Sequence, residues 1–183
     1  MITLIDTSSL VVLARYYQPF DTAKVLYSYI EKEVSEGRMI ILDKVVEEAK
    51  YTAKGIAINY LSFLSNKKYI HSSESIIPTK RFFNMLDNNF VVPSEKKLLD
   101  ESLYEERRNS YLISADAVIV LFADSYHGLE PIQIVTEESS SSNDRKLFKK
   151  IPLICGQLNI KTLSLPDYLK GCKEVEVVVK AVK

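Results

Sequence analysis

Three short stretches of this chain are apolar almost throughout, without the alternation of a half-exposed strand: ITLI (2–5), MIIL (39–42) and IQIV (132–135). Strands that are covered on both faces carry this continuous pattern, and they are typical of parallel sheets. Between the first two lies a segment from Asp21 to Gly37 whose apolar residues recur every three or four positions, which predicts a helix. Strands that alternate with helices predict an α/β fold, a three-layer α/β/α sandwich around a mostly parallel central sheet.

The length and composition favour a single domain. The 183 residues are 46% hydrophobic, enough for one substantial core. Amphipathic pieces broken by Pro78 and Pro93 predict a helical insertion over residues 56–110. The stretch KTLSL (161–165) predicts a last core strand, and residues 172–183 alternate enough to predict a C-terminal edge strand or extension.

Several function classes are disfavoured by composition and motif content. No apolar run approaches the roughly 20 residues of a membrane span, and no signal-type segment begins the chain, so we expect a cytoplasmic protein without a membrane partner. The formal net charge is zero, so overall charge gives no argument for nucleic acid. With only 5 glycines, the chain contains neither of the common glycine-rich phosphate loops.

Five acidic residues are expected at one edge of the sheet. Asp6 directly follows the first strand, and Glu137 and Glu138 follow the strand IQIV. Asp116 lies in the first turn of an apolar helix, and Glu48 lies in a helix predicted to begin at Asp43 and to end at Gly55. Ligands of such folds bind beyond the carboxyl ends of the strands, where the strand order reverses. The sequence therefore predicts a carboxylate cluster there.

A carboxylate cluster favours a bound cation. Two carboxylates about 4 Å apart repel by about 1 kcal/mol in water and about 4 kcal/mol at an effective dielectric of 20. Oxygen ligands suit Mg²⁺ or Mn²⁺ better than Zn²⁺, and the two histidines, His71 and His127, lie in contexts typical of surface residues. Phosphodiester hydrolysis is the natural chemistry of such a site, because a metal activates water and stabilises the phosphate oxygens.

Four segments resemble the acidic motifs of the PIN domain superfamily: LIDTSSLVVL, VVEEAKY, SADAVIVLFA and IVTEE. The later stretch KLFKKIPLICGQLNIKTLSLPDYL is similar to the tail of an uncharacterised PIN-like family. Members of the superfamily are mostly metal-dependent ribonucleases, and many are toxins of bacterial and archaeal toxin–antitoxin pairs. The resemblance covers about residues 1–55 and 110–170.

The resemblance implies roles for individual residues. Asp6 and Asp116 would be direct metal ligands, and Glu48 would be the second acid of the site. Glu47 takes the place of Glu48 if the helix is rotated from the expected orientation. Ser8 matches the small polar residue that helps to hold the metal's water.

The fourth acid has three candidates. The matching strand of the superfamily ends in Thr-x-acid, which here reads Thr136, Glu137, Glu138 and selects Glu138. The superfamily usually has aspartate at this position, so the neighbouring Glu137 remains an alternative. Asp144 is a further rival, because SNDRKLF resembles the acid-basic-x-Phe continuation of the motif.

The function implied is a Mg²⁺- or Mn²⁺-dependent endoribonuclease that cleaves RNA, with an antitoxin protein and a second copy of the chain as further partners. A non-catalytic RNA-binding or scaffold protein of the same fold is the first alternative. An aspartyl-phosphate phosphotransfer enzyme with Asp6 as nucleophile is the second, although such enzymes need another acid where Ser8 stands.

Four of these acids also have a structural explanation. Asp6 is well placed to cap the helix that follows it, and Asp116 to complement the dipole of its own helix. Glu47 and Glu48 fit a solvated helix face.

Overall fold

The centre of the fold is a five-stranded sheet. The computed structural model describes residues 1–126, 128–141 and 146–178. The strands are β1 (Ile2–Ile5), β2 (Met39–Leu42), β3 (Ile70–His71), β4 (Ile132–Val135) and β5 (Lys161–Leu163). They lie in the order β3-β2-β1-β4-β5, and every neighbouring pair is parallel.

The strand order reverses beside β1. Leu4 of β1 lies opposite Ile40 of β2 on one side and Ile134 of β4 on the other. The chain first builds outward from β1 to β3, and it then crosses to place β4 on the free side of β1. The crevice between the carboxyl ends of β1 and β4 is therefore the switch point at which α/β folds bind ligands.

Each connection between consecutive strands contains at least one helix, as parallel pairing requires. The sheet and its helices form a three-layer α/β/α sandwich, so the predicted fold class is confirmed. The α-helices are α1 (Thr7–Val12), α2 (Val25–Ser35), α3 (Asp43–Ala49), α4 (Ile56–Tyr60), α5 (Lys80–Met85), α6 (Pro93–Lys96), α7 (Glu101–Leu112), α8 (Ala115–Tyr126), α9 (Ile151–Leu158) and α10 (Leu165–Gly171). Two π-helical segments (Leu13–Tyr17, Leu86–Phe90) and four 3₁₀ turns (Gln18–Phe20, Thr52–Gly55, Ser62–Ser65, Lys67–Tyr69) complete the helical structure of the described residues.

Helix α8 is the most deeply buried helix of the fold. It contacts β2 and β4 of the sheet and the helices α3, α7 and α9. Its residues Ala115 and Ala117–Ala123 are all buried. Full burial of a side chain such as Phe122 contributes about 1.5–3 kcal/mol. Because α8 is held on several sides, Asp116 in its first turn has a fixed position.

The predicted helix from Asp43 to Gly55 ends early, at Ala49. The following turn places Ala53, Lys54 and Gly55 at φ values of 50°, 60° and 70°. Such left-handed conformations cannot continue a right-handed helix, so the chain changes direction here. A Cβ at Gly55 would lie only 3.0 Å from the carbonyl oxygen of Lys50. The turn therefore requires glycine at position 55, and a separate short helix, α4, begins after it at Ile56.

Two segments differ from the expectation. The middle region 56–110 is largely helical as predicted, but it also supplies β3, a two-residue strand. The described part of the predicted C-terminal edge strand, 172–178, contains no strand, and 179–183 lie outside the described residues. No helix in the described part of the chain has the length and apolar character needed to span a membrane.

Candidate active site

Asp6 lies at the junction between β1 and α1. Its backbone N–H donates to the carbonyl of Val135 at 2.9 Å, which ties it to the end of β4. The side chain is only 3% exposed, and it accepts hydrogen bonds from the Thr7 N–H at 2.7 Å, the Ser8 hydroxyl at 2.6 Å and the Thr136 hydroxyl at 2.9 Å. Asp6 is the N-cap of α1, so the expectation that it caps the helix after β1 is confirmed. The same carboxylate lies at the switch point of the sheet.

The pKa of Asp6 reflects two opposing influences. Burial raises it above the ordinary value, because a desolvated carboxylate loses the favourable interaction of its charge with water. The hydrogen bonds from Ser8, Thr136 and Thr7 lower it, and the negative charge of Glu48 raises it again. The net result is a raised pKa, so the ionised form of Asp6 is less favourable here than in water.

Ser8 and Thr136 connect the two strand ends. The Ser8 hydroxyl donates to Asp6 and accepts the Glu137 N–H at 2.9 Å. The Thr136 hydroxyl donates to Asp6 and accepts the Glu138 N–H at 3.1 Å. Each hydroxyl therefore links the Asp6 carboxylate to the backbone of the loop that follows β4.

Glu48 and Glu47 point to different surroundings. Glu48 accepts a 2.5 Å hydrogen bond from the hydroxyl of Thr7, the residue next to Asp6. The Glu47 side chain is 56% exposed and pairs with Lys44 at 2.8 Å. The structure therefore brings Glu48 to the end of β1 and leaves Glu47 in solvent. Thr7 is not among the residues that the sequence predicts for the site; the signal for it is its place in the run of three hydroxyl residues that follows Asp6.

The pKa of Asp116 depends on burial and on the charges of the other acids. Its pKa is raised to about 7, chiefly by burial and then by the negative charges of Glu138, Asp6 and Glu48, while Lys146 lowers it. The acids at the carboxyl ends of β1 and β4 and those on α3 and α8 thus share one electrostatic environment.

Glu137 and Glu138 diverge from the end of β4. Glu137 Oε1 accepts the Leu165 N–H at 2.7 Å and the Ser9 hydroxyl at 3.1 Å, which joins the start of α10 to α1. Glu138 Oε2 accepts the Ile151 N–H at 2.9 Å at the start of α9.

Glu138 lies on the Asp116 side of the site. Its Oε1 lies 3.5 Å from the ammonium of Lys146. The geometry gives Glu137 a structural role, and Glu138 is the acid whose charge raises the pKa of Asp116 most. Asp144, the third candidate for the fourth acid, lies outside the described residues.

The donor set fits a hard divalent cation, since it consists of carboxylate and hydroxyl oxygens. Across the described ranges, however, no three Asp, Glu, His or Cys side chains are already grouped so that they could hold a metal ion. Glu48 and Glu138 are turned toward protein donors instead, to Thr7 and to Ile151 and Lys146 respectively. The acids are thus neighbours without being a preassembled ligand set. Of the two histidines, His71 is exposed on β3, and His127 lies outside the described residues.

Fold and site together define an α/β/α protein with acidic residues at the switch point of a parallel sheet. A family model described as "Domain of unknown function (DUF4411)" matches residues 3–175, and the chain belongs to this family. Searches of curated proteins and of solved structures gave no match.

Proposed function

We propose that this chain is a metal-dependent endoribonuclease of the PIN type, active with Mg²⁺ or Mn²⁺. The observation that carries the proposal is the electrostatic coupling of the acids: the negative charges of Glu138, Asp6 and Glu48 raise the pKa of Asp116. Four acids with mutually unfavourable charges form a site that a divalent cation would stabilise.

The side chains of the site would have two roles, metal binding and positioning. Asp6 and Asp116 would hold the cation, with Glu138 and Glu48 completing the oxygen ligands. When bound, the cation would supply an activated water and a positive charge beside the RNA phosphate. The hydrogen bonds from Ser8 and Thr136 hold the Asp6 carboxylate in one orientation, so that its position does not have to be organised during the reaction.

A non-catalytic RNA-binding protein is the second candidate. It is favoured by the engagement of Glu48 and Glu138 with protein donors, which leaves no three-ligand group in the described part of the chain. An aspartyl-phosphate enzyme is disfavoured, because Asp6 is 3% exposed and both of its carboxylate oxygens accept hydrogen bonds.

The test is cleavage of a panel of single-stranded RNAs and tRNAs with Mn²⁺, Mg²⁺ or EDTA. The double variant Asp6→Asn/Asp116→Asn is compared with Glu47→Gln/Glu105→Gln, which removes two negative charges from exposed positions. Mutation of the groups that support metal ligands typically lowers metal affinity or activity by about 10–100-fold. Loss of two ligands should therefore reduce the rate of cleavage by more than about 100-fold. The control pair should cleave like the wild type. RNA binding without cleavage under all metal conditions would favour the non-catalytic candidate.

The biological role that we propose for this nuclease is the toxin of a toxin–antitoxin pair, acting in the cytoplasm, with an antitoxin protein and a second copy of the chain as partners. The proposal is supported by the resemblance to the PIN superfamily. Induced expression of the wild type should arrest bacterial growth, whereas Asp6→Asn/Asp116→Asn should not. Equal growth of both strains at equal protein levels would remove the toxin role and leave the nuclease to be tested in vitro.

A further inference from the structure

A groove of about 280 Å³ opens beside Asp116, between the end of α7 and the segment that leads into α9. This volume lies just below the range typical of small-molecule pockets, about 300–1,000 Å³. The side chains that give the groove its character are Arg107, Tyr111, Asp116, Lys146, Lys149 and Lys150.

The groove is lined by both acidic and basic side chains. Among the described residues that line it, Asp116 is the one acid, and four carry a positive charge. Arg107 is exposed and forms no ion pair within the described part of the chain. Lys149 donates to the backbone carbonyl of Asn89 at 2.7 Å rather than to a carboxylate, so its charge is not neutralised by a described acid.

The segment 146–150, which carries the lysines of the groove, is anchored by backbone and aromatic contacts. An isolated antiparallel bridge pairs Phe148 with Val91, and the Lys149 N–H donates to the carbonyl of Phe90 at 2.8 Å. The ring of Phe148 stacks on that of Tyr111, with ring centres 4.3 Å apart and planes inclined by 24°. Lys149 is therefore fixed relative to α7, the helix that carries Arg107.

We propose that this groove binds the sugar–phosphate backbone of a single-stranded nucleic acid and leads it to the acidic site. The proposal rests on the proposed nuclease function and names the path of its substrate. Arg107 and Lys149 would contact phosphates on the strand next to the bond that is cleaved, since a guanidinium and an ammonium are the side chains suited to phosphate oxygens. Contacts of this kind position a strand without reading its sequence.

The test measures binding in EDTA, where no metal-dependent cleavage occurs. Fluorescence anisotropy of a labelled 12-nucleotide RNA, and of the DNA of the same sequence, is recorded over a range of salt concentrations. Each neutralised phosphate contributes about 0.7 to the salt dependence of single-strand binding. Arg107→Gln/Lys149→Gln should therefore lower that slope by about 1.4 and weaken binding about tenfold or more at 0.1 M salt.

The matched control is Lys68→Gln/Lys161→Gln, which removes two positive charges from exposed positions near the amino-terminal ends of the strands, opposite the end that carries the acidic site. Lys161 begins β5, and Lys68 lies beside the start of β2. If this control weakens binding as much as the groove variant, general surface charge is responsible and the proposal is overturned. The single variant Arg107→Gln, at an exposed position, should lower the slope by about 0.7 and keeps the test valid if the double variant does not fold.

The outcomes separate this proposal from the proposed function. Loss of binding in the groove variant, with no cleavage by the wild type in Mn²⁺ or Mg²⁺, supports the groove and overturns the nuclease. Cleavage by the wild type, with unchanged binding in the groove variant, overturns the groove and leaves the nuclease in place.

Discussion

The hydroxyl of Thr136 donates to Oδ2 of Asp6 across 2.9 Å, and the hydroxyl oxygen, Oγ1 of Thr136, accepts the backbone N–H of Glu138. One buried hydroxyl thus connects the carboxylate after β1 with the acid after β4. The Thr136 N–H in turn donates to the carbonyl of Leu163 on β5. Thr136 therefore connects the ends of β1, β4 and β5. A substitution at this position tests whether the site and the fold depend on each other.

Thr136→Val should destabilise the protein, because it replaces the hydroxyl by a methyl group of similar size. The Glu138 N–H loses its acceptor and Asp6 loses a donor, and a lost hydrogen bond that leaves a buried polar group unsatisfied costs about 1–3 kcal/mol. Urea unfolding measures the change in the free energy of unfolding. Thr136→Ser keeps the hydroxyl and should retain most of the stability. A valine variant as stable as the wild type would show that the hydroxyl does not hold the two strand ends together.

Asp116→Asn should stabilise the metal-free protein at alkaline pH. The pKa of Asp116 is about 7 in the folded protein against an ordinary value of 3.8, so the folded state binds more protons than the unfolded chain between these values. The free energy of unfolding therefore falls as the pH rises from about 4 to about 7, by an amount on the order of a few kcal/mol. Asparagine cannot ionise, so the variant escapes this loss.

The measurement for Asp116 is urea unfolding in EDTA at pH 4, 6 and 8. The difference between variant and wild type should be small at pH 4 and largest at pH 8. Glu105→Gln, at an exposed position of α7, is the control for removal of a negative charge and should not reproduce the pattern. A wild type whose stability is flat between pH 5 and 8 would contradict the electrostatic coupling at the site.

The strands that carry the site could be predicted because they are buried on both faces. The segments 2–5, 39–42 and 132–135 have a nearly continuous apolar pattern, and each forms a strand with the predicted bounds. The two-residue strand Ile70–His71 could not be recognised in the same way, because it is too short to show a period and one of its residues is exposed. Its place at the edge of the sheet follows from pairing with β2, which local sequence does not encode.

The choice between neighbouring acids depended on tertiary contacts. Residues 47 and 48 lie about 100° apart on a helix, so the rotation of α3 decides which of them faces the site. That rotation is visible only once Thr7 is seen to donate to Glu48 and Lys44 to Glu47. The topology could place the acids at one end of the sheet, but it could not show that Glu138 also caps the start of α9.

Glu48→Gln and Glu47→Gln should differ in their response to metal. A ligand at 100 times its Kd stabilises a protein by about 2.7 kcal/mol, which for a chain of this size raises Tm by roughly 5–10 °C. We expect that rise for the wild type and for Glu47→Gln in Mn²⁺, and less than half of it for Glu48→Gln. The measurement is a thermal melt with Mn²⁺ and with EDTA. Equal shifts in the two variants would exclude Glu48 as a ligand.

Glu137→Gln and Glu138→Gln separate structure from catalysis at the end of β4. Glu137 accepts from Ser9 and from the Leu165 N–H, and glutamine keeps an acceptor oxygen with a weaker, uncharged bond, so the variant should lose about 1 kcal/mol of stability and retain cleavage. Glu138→Gln removes a proposed metal ligand. Mutation of groups that merely support ligands lowers metal affinity or activity by about 10–100-fold, so the cleavage rate of this variant should fall by more than about 100-fold. Urea unfolding and RNA cleavage in Mn²⁺ are measured on both variants. The reverse result, with cleavage lost in Glu137→Gln and kept in Glu138→Gln, would make Glu137 the fourth acid.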